Sequence, residues 1–301
     1  MKVVAFLEAI LVVLLWSASP PLVKMALEDL SPLQVAGLRY FAAFVLLVPL
    51  LLLRSLRELR NLERAVWPRL ILMGVLAYPI GNGLLFWGLE TLPSTTSSFL
   101  LNCIPLYTLI LGMLWLKERP NRLQWIGAMI AVVGALFFFG LGLQFTEAMA
   151  VGATLLGGLA MAIFSVMSRD LMRRGKTGSV VLTAVPQGVG GALLLLVAPV
   201  RAAPPMRTVA ILAWLAVFNS ALGYILWNHA LKRLKAFEIG FVGNLMPMGT
   251  ALLAPIMLSE SVPGRAWLGI VIALAGVVLV SLGGERAGGP AMGEAEPAAR
   301  A

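Results

Sequence analysis

The sequence has little of the chemistry that most enzymes and nucleic-acid binders need. Among 301 residues there is one cysteine, Cys103, and one histidine, His229. A single cysteine closes no bridge within the chain, which excludes a disulfide-stapled scaffold. One Cys and one His cannot supply the usual zinc cluster, so no metal site is expected. Charged residues make up only 12% of the chain, where a soluble domain carries about 25%. A soluble surface of ordinary polarity cannot be built from so few. The 60% hydrophobic content equally excludes disorder for the bulk of the chain.

What the chain has instead is apolar length. Stretches of about 20 residues, enough to cross a bilayer, fall at 4–23, 32–53, 68–89, 94–116, 122–141, 148–168, 179–199, 209–231, 237–258 and 265–283. Short charged clusters separate them, and no connection has room for a soluble domain. Only a helix satisfies its own backbone in lipid, apart from a closed barrel. The alternating strands of a barrel, each about 10 residues long, are absent. The expected fold class is therefore all-α integral membrane, with ten transmembrane helices. Met1, Lys2 and the run up to Ser17-Ala18-Ser19 have the outline of a signal peptide. Pro20 follows the would-be cut, however, and the segment reappears in the second half, so it is expected to stay as a helix. Residues 284–301, rich in Gly, Ala, Pro and Glu, are expected to be a disordered cytoplasmic tail.

The net charge of +9 is unevenly placed. With the amino terminus inside, 18 of the 23 basic residues face the cytoplasm. Lys24, Arg201, Arg207 and Arg265 lie on the other side, and Arg39 lies within a helix. This bias predicts a plasma-membrane protein with both termini cytoplasmic. Its expected partners are the lipid bilayer and a small-molecule solute, not nucleic acid. It would act as a monomer or homodimer, without a cofactor.

The sequence also matches itself. A shift of 142 residues lays Asn102-Cys103-Ile104-Pro105 on Asn244-Leu245-Met246-Pro247, and Glu118 on Glu260. It lays Trp125, Gly127, Ala131 and Gly134 on Trp267, Gly269, Ala273 and Gly276. A shift of 145 lays Leu22-Val23-Lys24 on Met167-Ser168-Arg169. The expected domains are two five-helix repeats, 1–141 and 147–283. Five is odd, so the copies insert with opposite orientation. Inverted repeats characterise many secondary transporters, whose solute site lies between the repeats near the midplane.

Several motifs carry a family resemblance over residues 4 to 283. They are Leu15-Trp16-Ser17 through Lys24, Leu38-Arg39-Tyr40, Ile104-Pro105-Leu106 through Leu116-Lys117-Glu118-Arg119, and Met246-Pro247 through Leu258-Ser259-Glu260. In their order and duplication the chain resembles the EamA branch of the drug/metabolite transporter (DMT) superfamily. The resemblance implies ten helices in two repeats, and transport of small metabolites, often export of amino acids. Ser17 departs from the family pattern, which usually has Gly after the Trp.

Candidate functional residues are the polar groups that lipid-facing helices do not need. Arg39 is the one clearly intramembrane cation. Its fork of donors could hold a substrate carboxylate, or it could snorkel to the interface. Tyr78, Asn82 and Phe86 are spaced by four and share a helical face, as do Tyr224 and Asn228. With Asn219, Gln187, Trp16, Ser17 and Ser19 they are expected to line a central cavity, although each aromatic could equally serve packing. Asn102 with Pro105, and Asn244 with Pro247, are expected as paired flexible points of two gates inside helices 4 and 9. Their bland reading is a packing kink. Glu8 and His229 are candidates for proton coupling or plain interfacial residues. Glu118 and Glu260 read as end anchors or gate ion pairs. The small-residue stripes at Gly127, Ala131 and Gly134 and at their copies suit helix packing or dimerisation.

Gly175-Lys176-Thr177 lacks the upstream glycine and strand of a phosphate loop. The leading expectation is a secondary transporter, a metabolite exporter that could be proton-coupled, and not an enzyme. An integral membrane enzyme would need a cluster of acid/base or metal residues. A membrane receptor or structural partner would need a sensor domain.

Overall fold

The computed structural model describes residues 2–116, 120–139, 145–174, 177–231, 234 and 242–286. The side chains of Arg169 and Asn228, Glu118, and residues 287–301 lie outside the described residues, while 284–286, where the disordered tail was expected to begin, still continue the last helix. All described regular structure is helical. In chain order the α-helices are α1 (Lys2–Ser17), α2 (Ser19–Ala26), α3 (Pro32–Asn61), α4 (Trp67–Val75), α5 (Gly83–Thr91), α6 (Ser94–Leu100) and α7 (Cys103–Leu116). They continue as α8 (Arg122–Phe139), α9 (Phe145–Arg173), α10 (Ser179–Val197), α11 (Met206–Trp214), α12 (Gly223–Leu231), α13 (Met246–Leu258) and α14 (Gly264–Arg286).

Joined end to end, these helices give eight runs long and apolar enough to cross a membrane. They are Val3–Ala26, Pro32–Asn61, Trp67–Thr91, Ser94–Trp115, Thr146–Met172, Ser179–Val197, Met206–Trp227 and Gly264–Gly283. Two shorter apolar helices, Arg122–Phe138 and Met246–Leu258, occupy the fifth and ninth expected segments. Large apolar side chains cover the outside: Leu53, Ile256 and Leu196 are each about four-fifths exposed. Water would not tolerate such a continuous apolar surface, and lipid does.

Local sequence explains the ends. Ser31 and Gln34 form a reciprocal capping box at the start of α3, with Pro32 at the position where its missing N–H costs nothing. Asn121 and Gln124 make the same exchange at the start of α8. Asn121 Nδ2 also donates to the Gly283 carbonyl at 2.6 Å, tying α8 to the end of α14.

The small-residue stripes do their work between α8 and α14. A Cβ on Gly134 would lie 2.3 Å from the backbone nitrogen of Ala273, and one on Gly127 would lie 2.5 Å from the Gly276 carbonyl. The two backbones touch because both copies of the stripe face each other.

Two runs are not plain α-helix. Leu76–Asn82 and Leu215–Leu222 are π-helical, each between two α-helical halves of one span. Their separation is close to the 142-residue offset of the self-match. Two other runs are broken. The chain turns at Leu101-Asn102 before α7, and at Asn244-Leu245 before α13. Pro105 and Pro247 therefore do not sit inside continuous helices, as the sequence suggested. They stand in the first turn of a new helix, where a missing N–H is tolerated. The Leu101 carbonyl is not left open either: the Ile104 N–H donates to it at 3.0 Å.

Candidate functional site

Arg39 is the centre of the polar interior. It lies on α3, two turns in from the Ser31 cap. Its side chain does not snorkel: Arg39 is only 6% exposed. Nη1 donates to Ser19 Oγ at 2.8 Å and Nε donates to Ser220 Oγ at 3.1 Å. The guanidinium carbon also lies 5.0 Å from the centroid of the Tyr40 ring. A guanidinium has five N–H groups, so three have no partner among the described residues. No carboxylate reaches it among the described residues. Placing such a charge inside a membrane protein is costly without an anion or water to meet it.

Around it stand two aromatic clusters. Tyr40 heads the first. Its ring is 4.6 Å from that of Tyr78 and stacks at 6.5 Å on Phe86. Its hydroxyl donates to Asn82 Oδ1 at 2.6 Å. Asn82 Nδ2 donates in turn to the Ala77 carbonyl at 2.7 Å, inside the first π-helical run. Gly190 on α10 makes room for this cluster, because a Cβ there would lie 2.6 Å from Tyr78 Cβ.

Trp16 heads the second. Its ring lies 5.8 Å from Tyr224 and 5.0 Å from Trp227. Trp16 Nε1 donates to the Asn219 carbonyl at 2.8 Å, and Asn219 Nδ2 donates to the Leu15 carbonyl at 2.6 Å. These two bonds fasten α1 to the second π-helical run. Arg39 joins the clusters: Tyr40 is its neighbour in sequence, and Ser220 follows Asn219. Tyr78 and Tyr224 both lie within electrostatic range of the guanidinium.

The structure thus brings together Trp16, Arg39, Tyr78, Asn82, Phe86, Asn219 and Tyr224. Gln187 is fully buried on α10, and neither of its amide atoms has a partner among the described residues. Asn219 Oδ1 is likewise unpartnered among them. Ser17 is turned elsewhere: its hydroxyl bonds to the Val13 and Met246 carbonyls and packs α1 against α13. Asn228 has its side chain outside the described residues. Trp87 is exposed and belongs to the outer surface. Asn102 is buried, with no partner for Nδ2 among the described residues, whereas Asn244 is half-buried and makes an interaction of its own. Glu8, nearly two turns into α1, forms a separate pair with His229, with Oε2 and Nδ1 2.6 Å apart. Among the described residues no group of three His, Cys, Asp or Glu could hold a metal.

Sequence reasoning did not place Tyr40 or Ser220 in the site. A signal existed for both: each directly follows a polar residue already singled out, Arg39 or Asn219.

A π-widened bundle around the one buried cation among the described residues suits a membrane protein with a polar interior, and comparison with known proteins agrees. The EamA-like transporter family model matches twice, at residues 4–140 and 148–282. The chain therefore belongs to the EamA-like transporter family, within the drug/metabolite transporter superfamily. It is 25% identical to a probable terminal-alkyne amino-acid exporter of Streptantibioticus cattleyicolor, over 90% of this chain and 91% of that one. It is also 25% identical to the uncharacterized inner membrane transporter YedA of Escherichia coli K12, over 90% and 88% of the two chains. A S-adenosylmethionine/S-adenosylhomocysteine transporter of Chlamydia trachomatis is 25% identical over 83% and 80%. A solved structure described only as "Crystal structure of protein" shares the fold, with a TM-score of 0.66 at 17% identity, over 94% of this chain and 98% of that chain. The protein is thus a multi-pass membrane transporter.

Proposed function

We propose that this chain exports small carboxylate-bearing metabolites, amino acids among them, across the plasma membrane. Two inverted five-helix repeats, 1–141 and 147–283, would rock about the Arg39 site in alternating access, with both termini cytoplasmic. One observation carries the reading: a buried guanidinium with three uncommitted donors and no carboxylate among the described residues, flanked by aromatic rings. A carboxylate takes two parallel donors from such a fork. The rings receive an apolar side chain and exclude larger polar solutes. The exporter among the relatives supports the direction and the solute class.

Glu8 and His229 supply a place for a coupling proton. At 2.6 Å the two atoms are joined by a hydrogen bond. The pair lies at the end of the bundle where the cytoplasm is proposed.

The test is flux in proteoliposomes loaded with a panel of amino acids and small carboxylates. Efflux of at least one solute above that of empty vesicles is expected, and the matched amide or ester should not compete. A panel in which nothing crosses faster than through protein-free vesicles, with or without a pH gradient, removes the reading.

A further inference from the structure

Lys24 and Glu260 are 236 positions apart, yet Lys24 Nζ donates to Glu260 Oε1 at 2.9 Å. The same ammonium donates to the Leu92 carbonyl, also at 2.9 Å. Glu260 receives more than this. The Ser94 N–H reaches both carboxylate oxygens, at 3.0 and 2.8 Å, and Ser94 Oγ donates to Oε2 at 2.7 Å. One carboxylate thus fastens three segments: α2, the start of α6 and the end of α13. The backbone is bent to deliver it. Ser259 holds φ at 55°, the sole positive φ of a non-glycine residue among the described residues. That left-handed residue ends α13 and turns the chain at Glu260.

The junction covers the Arg39 site. Ser19, which holds the guanidinium, lies five residues before Lys24, about 7–8 Å down the axis at 1.5 Å per residue. Just below the junction the packing is closed as well. Thr250 Oγ1 lies 3.0 Å from Ser98 Oγ and donates to the Ser17 carbonyl at 2.9 Å.

We propose that Lys24, Glu260 and Ser94 form a latch that closes the Arg39 site at one end, made in one state of the transporter and broken in the other. Other ion pairs at the same end differ in kind. Arg207–Glu28 spans 3.2 Å with both side chains 58% exposed, and it fastens no third segment. Such a surface pair contributes little, whereas the latch is half-buried and many-membered.

The inference rests on the transporter reading, but its test needs no substrate. Cys103→Ser with Ser97→Cys places one thiol a helical turn below Ser94, at a buried hydroxyl that has no partner among the described residues. In nanodiscs a water-soluble maleimide reads how often that layer opens. Lys24→Gln and Glu260→Gln are expected to raise the labelling rate by about fivefold or more, as a two-state shift requires. Glu28→Gln should leave it unchanged, and Lys24→Arg, which keeps the donor, should keep it slow. Rates within about twofold of the parent in both Gln variants overturn the latch. So does Lys24→Arg labelling as fast as Lys24→Gln. A chain that never moves a solute yet still opens at Ser97 fails the transport reading and keeps the latch.

Discussion

The Tyr40 hydroxyl donates to Asn82 Oδ1 at 2.6 Å, and this bond ties the charged helix α3 to the first π-helical run. Asn82 uses its other amide atom on the Ala77 carbonyl five residues back. The tyrosine beside Arg39 therefore orients the amide that supports a widened turn. Widened turns of this kind recur at functional sites.

Tyr40→Phe removes that donor and leaves Asn82 Oδ1 without it. A loss of about 0.6–2 kcal/mol is expected, the range for hydrogen bonds between membrane helices. Thermal unfolding in detergent should show a lower midpoint, and transport should fall further than stability alone explains. An unchanged midpoint would mean that the bond is not formed in the membrane.

Arg39→Gln deletes the charge but keeps a polar side chain. Hydrogen bonds to charged groups are worth about 1.5–3 kcal/mol, so solute affinity should drop roughly 10- to 100-fold. Arg39→Lys restores a charge without the fork and should fall between the two. Concentration-dependent flux measures both, and flux by Arg39→Gln equal to the parent's would take Arg39 out of the site.

Gly134→Leu tests the α8–α14 seam. Even a Cβ would sit 2.3 Å from the Ala273 nitrogen, so the helices must part. Overpacking of this kind costs about 1–3 kcal/mol. Reduced yield and a lower melting temperature are expected; wild-type values would place the seam elsewhere.

Asn102→Ala and Asn244→Ala address the two helix breaks. Each asparagine stands in the turn that precedes a restarted helix. If the breaks flex as gates, both variants should slow transport at native expression while keeping the fold. Normal transport by both would leave the breaks as packing features.

Glu8→Gln removes one partner of the Glu8–His229 contact. The proton they share then has a single basic site. Solute efflux driven by an imposed pH gradient should lose its dependence on the gradient, while exchange without a gradient persists. Retained dependence in proteoliposomes would remove this pair from coupling.

The helical membrane architecture was legible because bilayer thickness forces apolar runs of one length, and the chain displays them. The role of Arg39 was half legible. A lone intramembrane cation is conspicuous in a sequence, but whether it turns inward depends on Ser19 and Ser220, which lie on other helices. The π-helical runs were not legible. Tyr78, Asn82 and Phe86 read as an ordinary i, i+4 face, and nothing local announces a widened turn. The prolines misled for a related reason. A proline argues that a helix is disturbed, but only tertiary packing decides between a kink and a clean restart. Lys24 and Glu260 were visible singly and not as a pair, since spacing in sequence carries no information across 236 positions.

Cys103, first met as an absence of partners, stands directly after the turn at Leu101-Asn102 and begins the restarted helix α7. It is half-buried in a crevice formed with Phe99, Leu106, Ala131 and Ala273. Nature has thus left the chain with a single native thiol at the joint of a split helix. A spin label or fluorophore attached there would report the bending of that joint without any engineered background.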